Sequence, residues 1–329
     1  VREFDYRRAA DAHEAVALIS GEPEARFLGG GTNLVDLMKI GVENPALLVD
    51  VRGLPLDRIE VADDGALTIG ATMTNSDLAA HPEVRHRYPA LAEALLAGAS
   101  GQLRNMATVG GNLLQRTRCG YFTDLGRPCN KREPGSGCSA LNGEHHNHAI
   151  LGWTEHCVAT NPSDMAVALA AFDAVVHVLS ADGSAEIPLA DFYLPVGDTP
   201  HRETALPDGA LITGVTLPAA PVAARSRYRK VRERASYAFA NGSIAAALHV
   251  EDGTVRDARI AFGAVASRPW RAREAERALI GGPATPEAFA AAADAELAAA
   301  RPLAHNGYKV PLIRNLVVST LTELQEAAR

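Results

Sequence analysis

Residues 102–164 read QLRNMATVGGNLLQRTRCGYFTDLGRPCNKREPGSGCSALNGEHHNHAILGWTEHCVATNPSD. The stretch opens on a Gly-Gly-Asn turn, closes on Asn-Pro-Ser-Asp, and holds every cysteine of the 329-residue chain between them. Packing all 4 cysteines into residues 119–157 needs a local reason: a metal, a cluster or disulfides. Cys119, Cys129, Cys138 and Cys157 are separated by gaps of 9, 8 and 18 residues. Zinc sites usually pair their ligands as C-x2–4-C, and no such pair exists here. Four thiolates can hold a [4Fe–4S] cubane, one per iron, and wide gaps are tolerated where a loop wraps the cluster. The intervening segment is rich in Gly, Pro and Asn and poor in core-forming residues, so it needs something at its centre to order it. Free cysteines in a surface loop are the plainer alternative, but unligated cysteines usually sit in cores. His145, His146, His148 and His156 lie close by and could ligate a metal; exposed polar loop residues are the simpler expectation for them. Arg116, Arg118, Arg127, Lys131 and Arg132 surround the first cysteines and could offset cluster charge or face an acidic partner.

The second glycine motif, Ala107-Thr108-Val109-Gly110-Gly111-Asn112, has an earlier counterpart. Gly29-Gly30-Gly31-Thr32-Asn33 follows a short strand, Arg26-Phe27-Leu28, and precedes a helix, LVDLMK. Glycines let backbone N–H groups approach an anion, and a helix N-terminus favours negative charge. Neither motif is GxGxxG or a Walker A loop, and a tight turn alone would produce either one. Two such loops, each with a hydroxyl or amide donor, fit a ligand with two phosphates better than one does. Ser163 or Asp164 caps the helix that follows Asn161-Pro162, and an Asp there can also accept from a sugar hydroxyl.

Working outward, the order of elements predicts an α+β chain in three parts. Residues 1–53 form a small α/β unit: a helix over 10–19, the strand at 26–28, a helix at 34–39 and a buried-type strand at 46–51. Residues 54–217 form a larger α+β unit with strands at 67–71, 174–179 and 211–217 and helices at 88–99 and 165–172; the Cys-rich insertion is 113–160. An Ala/Pro-rich run, 218–224, reads as a linker. Residues 225–329 form a C-terminal domain with a three-stranded antiparallel sheet (225–231, 243–250, 255–262) and helices near 271–280, 286–300 and 310–326. Glu251-Asp252-Gly253 supplies the hairpin turn.

Composition sets the remaining bounds. A net charge of −7 argues against nucleic acid, and 47% hydrophobic residues leave ample core. No run is apolar enough to span a bilayer, and the charged N-terminus is unlike a signal peptide. The expectation is assembly in the cytoplasm with reduced thiols, with export bound to a signal-bearing partner left open.

Taken together, Leu28 to Leu34 with Met38-Lys39, Gln102-Leu103-Arg104-Asn105, residues 107–112 and Pro162-Ser163-Asp164 resemble the FAD-binding subunit of the molybdenum hydroxylase (xanthine oxidase) family. The tail from Tyr228-Arg229-Lys230 resembles that family's C-terminal flavoprotein domain, so the resemblance spans nearly the whole chain. Cys-Gly-Tyr-Phe at 119–122, Pro-Cys-Asn-Lys-Arg at 128–132, Pro-Gly-Ser-Gly-Cys at 134–138 and His-Ala-Ile-Leu-Gly at 148–152 resemble a variant found in three-subunit bacterial aldehyde oxidoreductases. That variant carries an extra [4Fe–4S] cluster.

The resemblance implies FAD, bound through Phe27, Leu28, Gly29, Gly30, Gly31, Thr32, Asn33 and Leu34 and through Gln102, Thr108, Gly110, Gly111 and Asn112. Residues 29–33 and 108–112 would cradle its pyrophosphate and ribityl, Asp164 would sit on the same cofactor and Lys230 near the flavin. It further implies a cluster on Cys119, Cys129, Cys138 and Cys157. A large molybdenum-cofactor subunit would hydroxylate the substrate, a small [2Fe–2S] subunit would pass electrons to the FAD, and no general acid–base pair is expected in this chain. Two rival functions are a stand-alone FAD oxidase of a small substrate and a non-enzymatic Fe–S or zinc assembly module.

Overall fold

The computed structural model describes residues 1–327, arranged as three sheets with helices between and around them. The first sheet contains β1 (Asp5–Arg8), β2 (Ala25–Leu28) and β3 (Leu47–Asp50) in the order β1-β3-β2, all parallel. Parallel neighbours need crossovers. They are supplied by the helix Ala12–Ser20, capped by Asp11, and by the short helix Leu34–Lys39. Ligands in parallel sheets sit beyond the carboxyl ends of the strands. The loop 29–33 emerges from that end of β2. Beside it, at the end of β3, the fully buried Asp50 accepts from Arg52 and from the Tyr6 hydroxyl.

The second sheet is antiparallel throughout, in the order β4-β5-β8-β6-β7: β4 (Ile59–Val61), β5 (Leu67–Gly70), β6 (Val175–Ser180), β7 (Gly183–Pro188) and β8 (Leu211–Leu217). Leu67, Ile69, Val176, Val178, Val215 and Leu217 point into a core shared with the helices Pro89–Ala97 and Asp164–Ala171. Met165 to Leu169 and Ala171 are all buried. A helix apolar on every side belongs inside a protein, and this one also packs against the third sheet.

That third sheet is antiparallel, in the order β12-β11-β10-β9: β9 (Ser226–Val231), β10 (Gly242–Glu251), β11 (Thr254–Gly263) and β12 (Trp270–Arg271). The expected three strands are present, with β12 added at the edge, too short to leave a period-2 pattern. Asp252 (φ 49) and Gly253 (φ 73) form the β10–β11 turn, the left-handed pair that Asp-Gly favours. Helices Arg273–Leu279, Pro286–Leu297 and Lys309–Glu326 cover one face, with Phe262, Phe289, Ile313 and Leu321 in the core. Helix Pro89–Ala97 ties β9 to the second sheet: Glu93 accepts the Tyr228 N–H at 2.7 Å, and Ser226 Oγ accepts the Ala90 N–H at 3.1 Å.

The run 218–224 is not a loose tether. Pro221–Ala224 form a 3-10 turn that buries Val222 and Ala223, and the Pro218 carbonyl accepts from the Tyr88 hydroxyl at 2.8 Å. No helix among the described residues is long and apolar enough to cross a membrane.

Candidate functional site

The two glycine-rich loops touch. A Cβ on Gly30 would stand 1.8 Å from the Met106 carbonyl oxygen, and one on Gly29 would stand 2.8 Å from Thr108 Oγ1. Only glycine permits this approach, and Gly31 (φ +74) turns the chain away. The second loop is pinned to the end of β5 by Val109 N–H to the Met73 carbonyl (3.0 Å) and Gly110 N–H to the Ala71 carbonyl (2.9 Å). Thr108 caps the helix Val109–Leu113 by accepting the Gly111 N–H at 3.2 Å. Among the described residues, the backbone N–H groups of Gly30, Gly31 and Thr32 have no partner within the chain. Unpaired N–H groups on neighbouring residues make a natural anion cradle.

Around the loops lie two adjoining clefts, enclosing about 2170 and 1540 Å³ of solvent-open space, that share Thr32, Asn33 and Gly111. Phe27, Gly29, Gly30, Gly31, Leu34, Thr108 and Gly110 line the first; Asn112, Asp164 and Lys230 line the second. Leu28 and Gln102 line neither. Leu28 belongs to β2, and Gln102 is exposed on a short helix whose next residues, Leu103 and Arg104, face the cleft instead.

Ser163, rather than Asp164, caps the buried helix, accepting the Ala166 N–H at 3.0 Å. Asp164 is therefore free to accept from Lys230 Nζ at 2.8 Å and from the Tyr228 hydroxyl. Burial, with the neighbouring Asp164 carboxylate, holds that tyrosine far above its ordinary pKa, so it stays a donor. Lys230 sits opposite Ser243 in the sheet, while the adjacent Arg229 turns to Glu323 on the helix Lys309–Glu326. Alternation along β9 thus sends Lys230 to the cleft and Arg229 away from it.

Three polar side chains at the cleft have a buried atom without a partner; Asn33 is expected there, whereas Asn75 and the cleft position of Arg118 escaped sequence reasoning. Asn33 Oδ1 accepts the Arg116 N–H at 2.9 Å, which leaves its Nδ2 buried without a partner. Asn75 Oδ1 is likewise buried and unpaired. Its neighbour Thr74 caps the helix there, so the capping pattern accounted for the stretch and hid Asn75. Arg118 lies against the Phe239 ring at 5.0 Å with its Nε unpartnered. Nothing in the local sequence separates it from the other basic residues.

The other basic residues have partners inside the chain, and Lys131 also lines the cysteine cavity. Arg116 meets Glu43 and Glu203, and Lys131 meets Glu203 at 2.7 Å. Arg127 lies 3.6 Å from Asp124, and Arg132 donates to the Tyr121 and Phe122 carbonyls.

The insertion carries little regular structure beyond the turn of helix Gly120–Thr123 and the bridges Cys129–Cys138 and Thr154–Cys157. All four cysteines are unpaired and line one small cavity of about 10 Å³, with Phe122, Pro128, Ala140 and Ala159 in its wall. Burial pushes the Cys119 thiol up to about 11 and the Cys157 thiol above its usual range. Among the described residues, no three His, Cys, Asp or Glu side chains are grouped to hold a single metal ion. His146 and His156 are exposed as expected, but His145 and His148 are buried. His148 Nε2 lies 3.2 Å from Cys119 Sγ, and burial lowers this imidazole to about 4.

Residues 2–220 match the family described as the FAD binding domain in molybdopterin dehydrogenase, and residues 226–324 match the CO dehydrogenase flavoprotein C-terminal domain. The chain belongs to this family. It is an oxidoreductase subunit of the molybdenum hydroxylase type, and FAD is the cofactor of its domain. The aldehyde oxidoreductase FAD-binding subunit PaoB of Escherichia coli K12 is 51% identical over 329 residues, covering 100% of both chains. The glyceraldehyde dehydrogenase medium chain of Sulfolobus acidocaldarius is 27% identical over 281 residues, covering 85% of this chain and 82% of its own. Carbon monoxide dehydrogenase from Hydrogenophaga pseudoflava, in a form lacking the Mo-pyranopterin moiety, superposes with a TM-score of 0.76 at 27% identity, covering 98% and 96%.

FAD suits the cleft chemically. The glycine N–H groups match a pyrophosphate, and the orphaned Asn33 and Asn75 atoms match a ligand with both acceptors and donors. The cysteine cavity brings all four thiols to one small space, a donor set that an iron–sulfur cluster can use.

Proposed function

We propose that this chain is the electron-transfer subunit of a molybdenum hydroxylase acting on aldehydes, with FAD in the cleft and a [4Fe–4S] cluster on Cys119, Cys129, Cys138 and Cys157. A large molybdenum-cofactor subunit oxidises the substrate, and a small [2Fe–2S] subunit delivers the electrons. One observation carries the reading. A third cavity lies between the cysteine cavity and the glycine-lined cleft, sharing the wall residue Cys119 with the first and Arg118, Asp164 and Phe239 with the second. The class of substrate rests on the 51% identical aldehyde oxidoreductase subunit.

Each residue then has a stated task. Gly30, Gly31 and Thr32 offer N–H groups to the pyrophosphate, with Thr108, Gly110, Gly111 and Asn112 closing the cradle from the other side. Phe27 and Leu34 set the cradle's flank. Asn33 Nδ2 and Asn75 Oδ1 find partners on the cofactor. The Asp164–Lys230 pair fixes one polar wall beside the flavin, and Arg118 supplies an uncommitted positive charge. When bound, FAD takes electrons singly and releases them in pairs, and the protein's share is binding, orientation and tuning. No acid–base pair is required of this chain.

Turnover separates the readings. The isolated, flavin-loaded chain should not oxidise aldehydes with any acceptor, while adding the large and small subunits should restore turnover. Aldehyde oxidation by the chain alone would overturn the subunit reading in favour of a stand-alone oxidase.

A further inference from the structure

His148 is the buried polar group that the site described so far leaves without a task. It is 8% exposed, and its backbone is fixed on both sides. Its N–H donates to the His145 carbonyl at 3.1 Å, and its own carbonyl accepts from Asn306 Nδ2 at 3.2 Å. Asn306 is itself fully buried. The ring has one polar contact: Nε2 lies 3.2 Å from Cys119 Sγ, while Nδ1 is buried with no partner. A sulfur bound to iron has no proton to give and only accepts. The tautomer that suits a filled site therefore carries its hydrogen on Nε2.

Cys119 also differs from the other cysteines. Among the described residues, it is the cysteine sulfur with a histidine ring nitrogen at hydrogen-bond distance. Cys119 faces the cleft side: Cys119 and His148 both line a cavity of about 250 Å³ whose wall also includes Arg118, Asp164 and Phe239. Hydrogen bonds to the sulfurs are among the factors that set a cluster's reduction potential, because they stabilise the charge added on reduction.

We propose that His148 is a positioning residue of the cysteine site: it donates Nε2–H to the Cys119 sulfur, raises the reduction potential of the cluster, and does so at the corner facing the flavin cleft. This rests on the cluster assignment above. The step it tunes is one-electron reduction of the cluster, with the electron supplied by the reduced partner centres and no bond made or broken in the protein.

The test is an EPR-monitored redox titration of the complete complex as wild type, His148→Phe and His148→Gln, with iron and flavin quantified in each. Removing the donor should make cluster reduction about tenfold less favourable, about 59 mV for a one-electron couple. Glutamine, whose amide can still donate, should recover most of that shift, and the flavin midpoint should not move. Equal midpoints in all three proteins, or equal shifts in both variants, would overturn the proposal. Should the phenylalanine variant fail to assemble, pulsed EPR of the unaltered complex carrying 15N-histidine decides. A weak coupling to histidine nitrogen in the reduced cluster supports the bond, and its absence overturns it. A wild-type complex with full flavin and no iron would instead remove the cluster assignment itself, a distinct outcome from a cluster indifferent to position 148.

Discussion

The cleft and the cysteine loop sit side by side and are built on opposite plans. The cleft is made of the ends of regular elements: the carboxyl end of β2, the end of β5, the cap of helix Val109–Leu113 and the start of a helix buried on all sides. Each wall would hold its place without a ligand. The loop has almost no ladder or helix to hold it. It is tied by side chains instead: Asn130 to the His156 carbonyl at 3.0 Å, Ser136 to the Cys129 N–H at 3.0 Å, Lys131 to the Pro200 carbonyl at 3.0 Å. At its centre are four thiols, and binding energy at such a site doubles as folding energy. A preformed cleft beside a loop that waits for its filler means that the two cofactors should respond differently to damage.

The largest contrast should come from Cys129→Ser. Iron should fall from about four per chain to below one, and residues 120–157 should become accessible to protease. The flavin-to-protein ratio should hold. Normal iron content would exclude Cys129 as a ligand, and parallel loss of flavin would mean that the two sites are not independent. Next is Asp164→Asn, which strands the buried Lys230 ammonium (side chain 3% exposed). Breaking such a pair costs about 3–5 kcal/mol, readable by urea denaturation of flavin-free protein. Adding Lys230→Met should return most of it.

Gly30→Ala attacks the cleft where its loops touch. With the Met106 carbonyl in the way, the loops must part, at about 2–3 kcal/mol of flavin affinity, or a Kd raised about a hundredfold by fluorescence titration. Gly101→Ala is the matched control, since an added methyl there meets nothing within 4 Å. The smallest effect concerns Asp50, beside the first glycine loop. Burial acts to raise its pKa, but the bonds from Arg52 and Tyr6 outweigh it and hold the carboxyl at about 2, against 3.8. Because the folded pKa is the lower one, the stabilisation is complete above pH 3.8 and is lost as pH falls through 2. With Arg52 41% exposed, it should amount to about 1–2 kcal/mol. The stability gap between wild type and Asp50→Asn should therefore close between pH 4 and pH 2.

The same contrast decides what could be read from the amino acids. The two glycine loops, the Asp-Gly hairpin and the buried helix after Ser163 leave local signatures, because each is a turn, a cap or an apolar run. β1 does not: Asp-Tyr-Arg-Arg is exposed at every position, and its partner is a strand forty residues away. β7 is nearly as exposed and equally silent. The cysteines announced a site, but their neighbours misled. Two of the four nearby histidines, expected as exposed loop residues, are inside. Asn33, Asn75 and Arg118 matter because an atom of each is buried without a partner. That property exists only once the chain is folded.

Both halves of the account meet in a visible absorption spectrum of the purified complex, with iron and flavin assayed on the same sample and assigned to this chain. The expected result is flavin bands on a broad iron–sulfur shoulder, one FAD and about four irons in this chain beyond those of its partners. Flavin with no such iron would leave the cleft standing and take away the cluster. A folded complex, never stripped, whose chain carries neither would contradict the account.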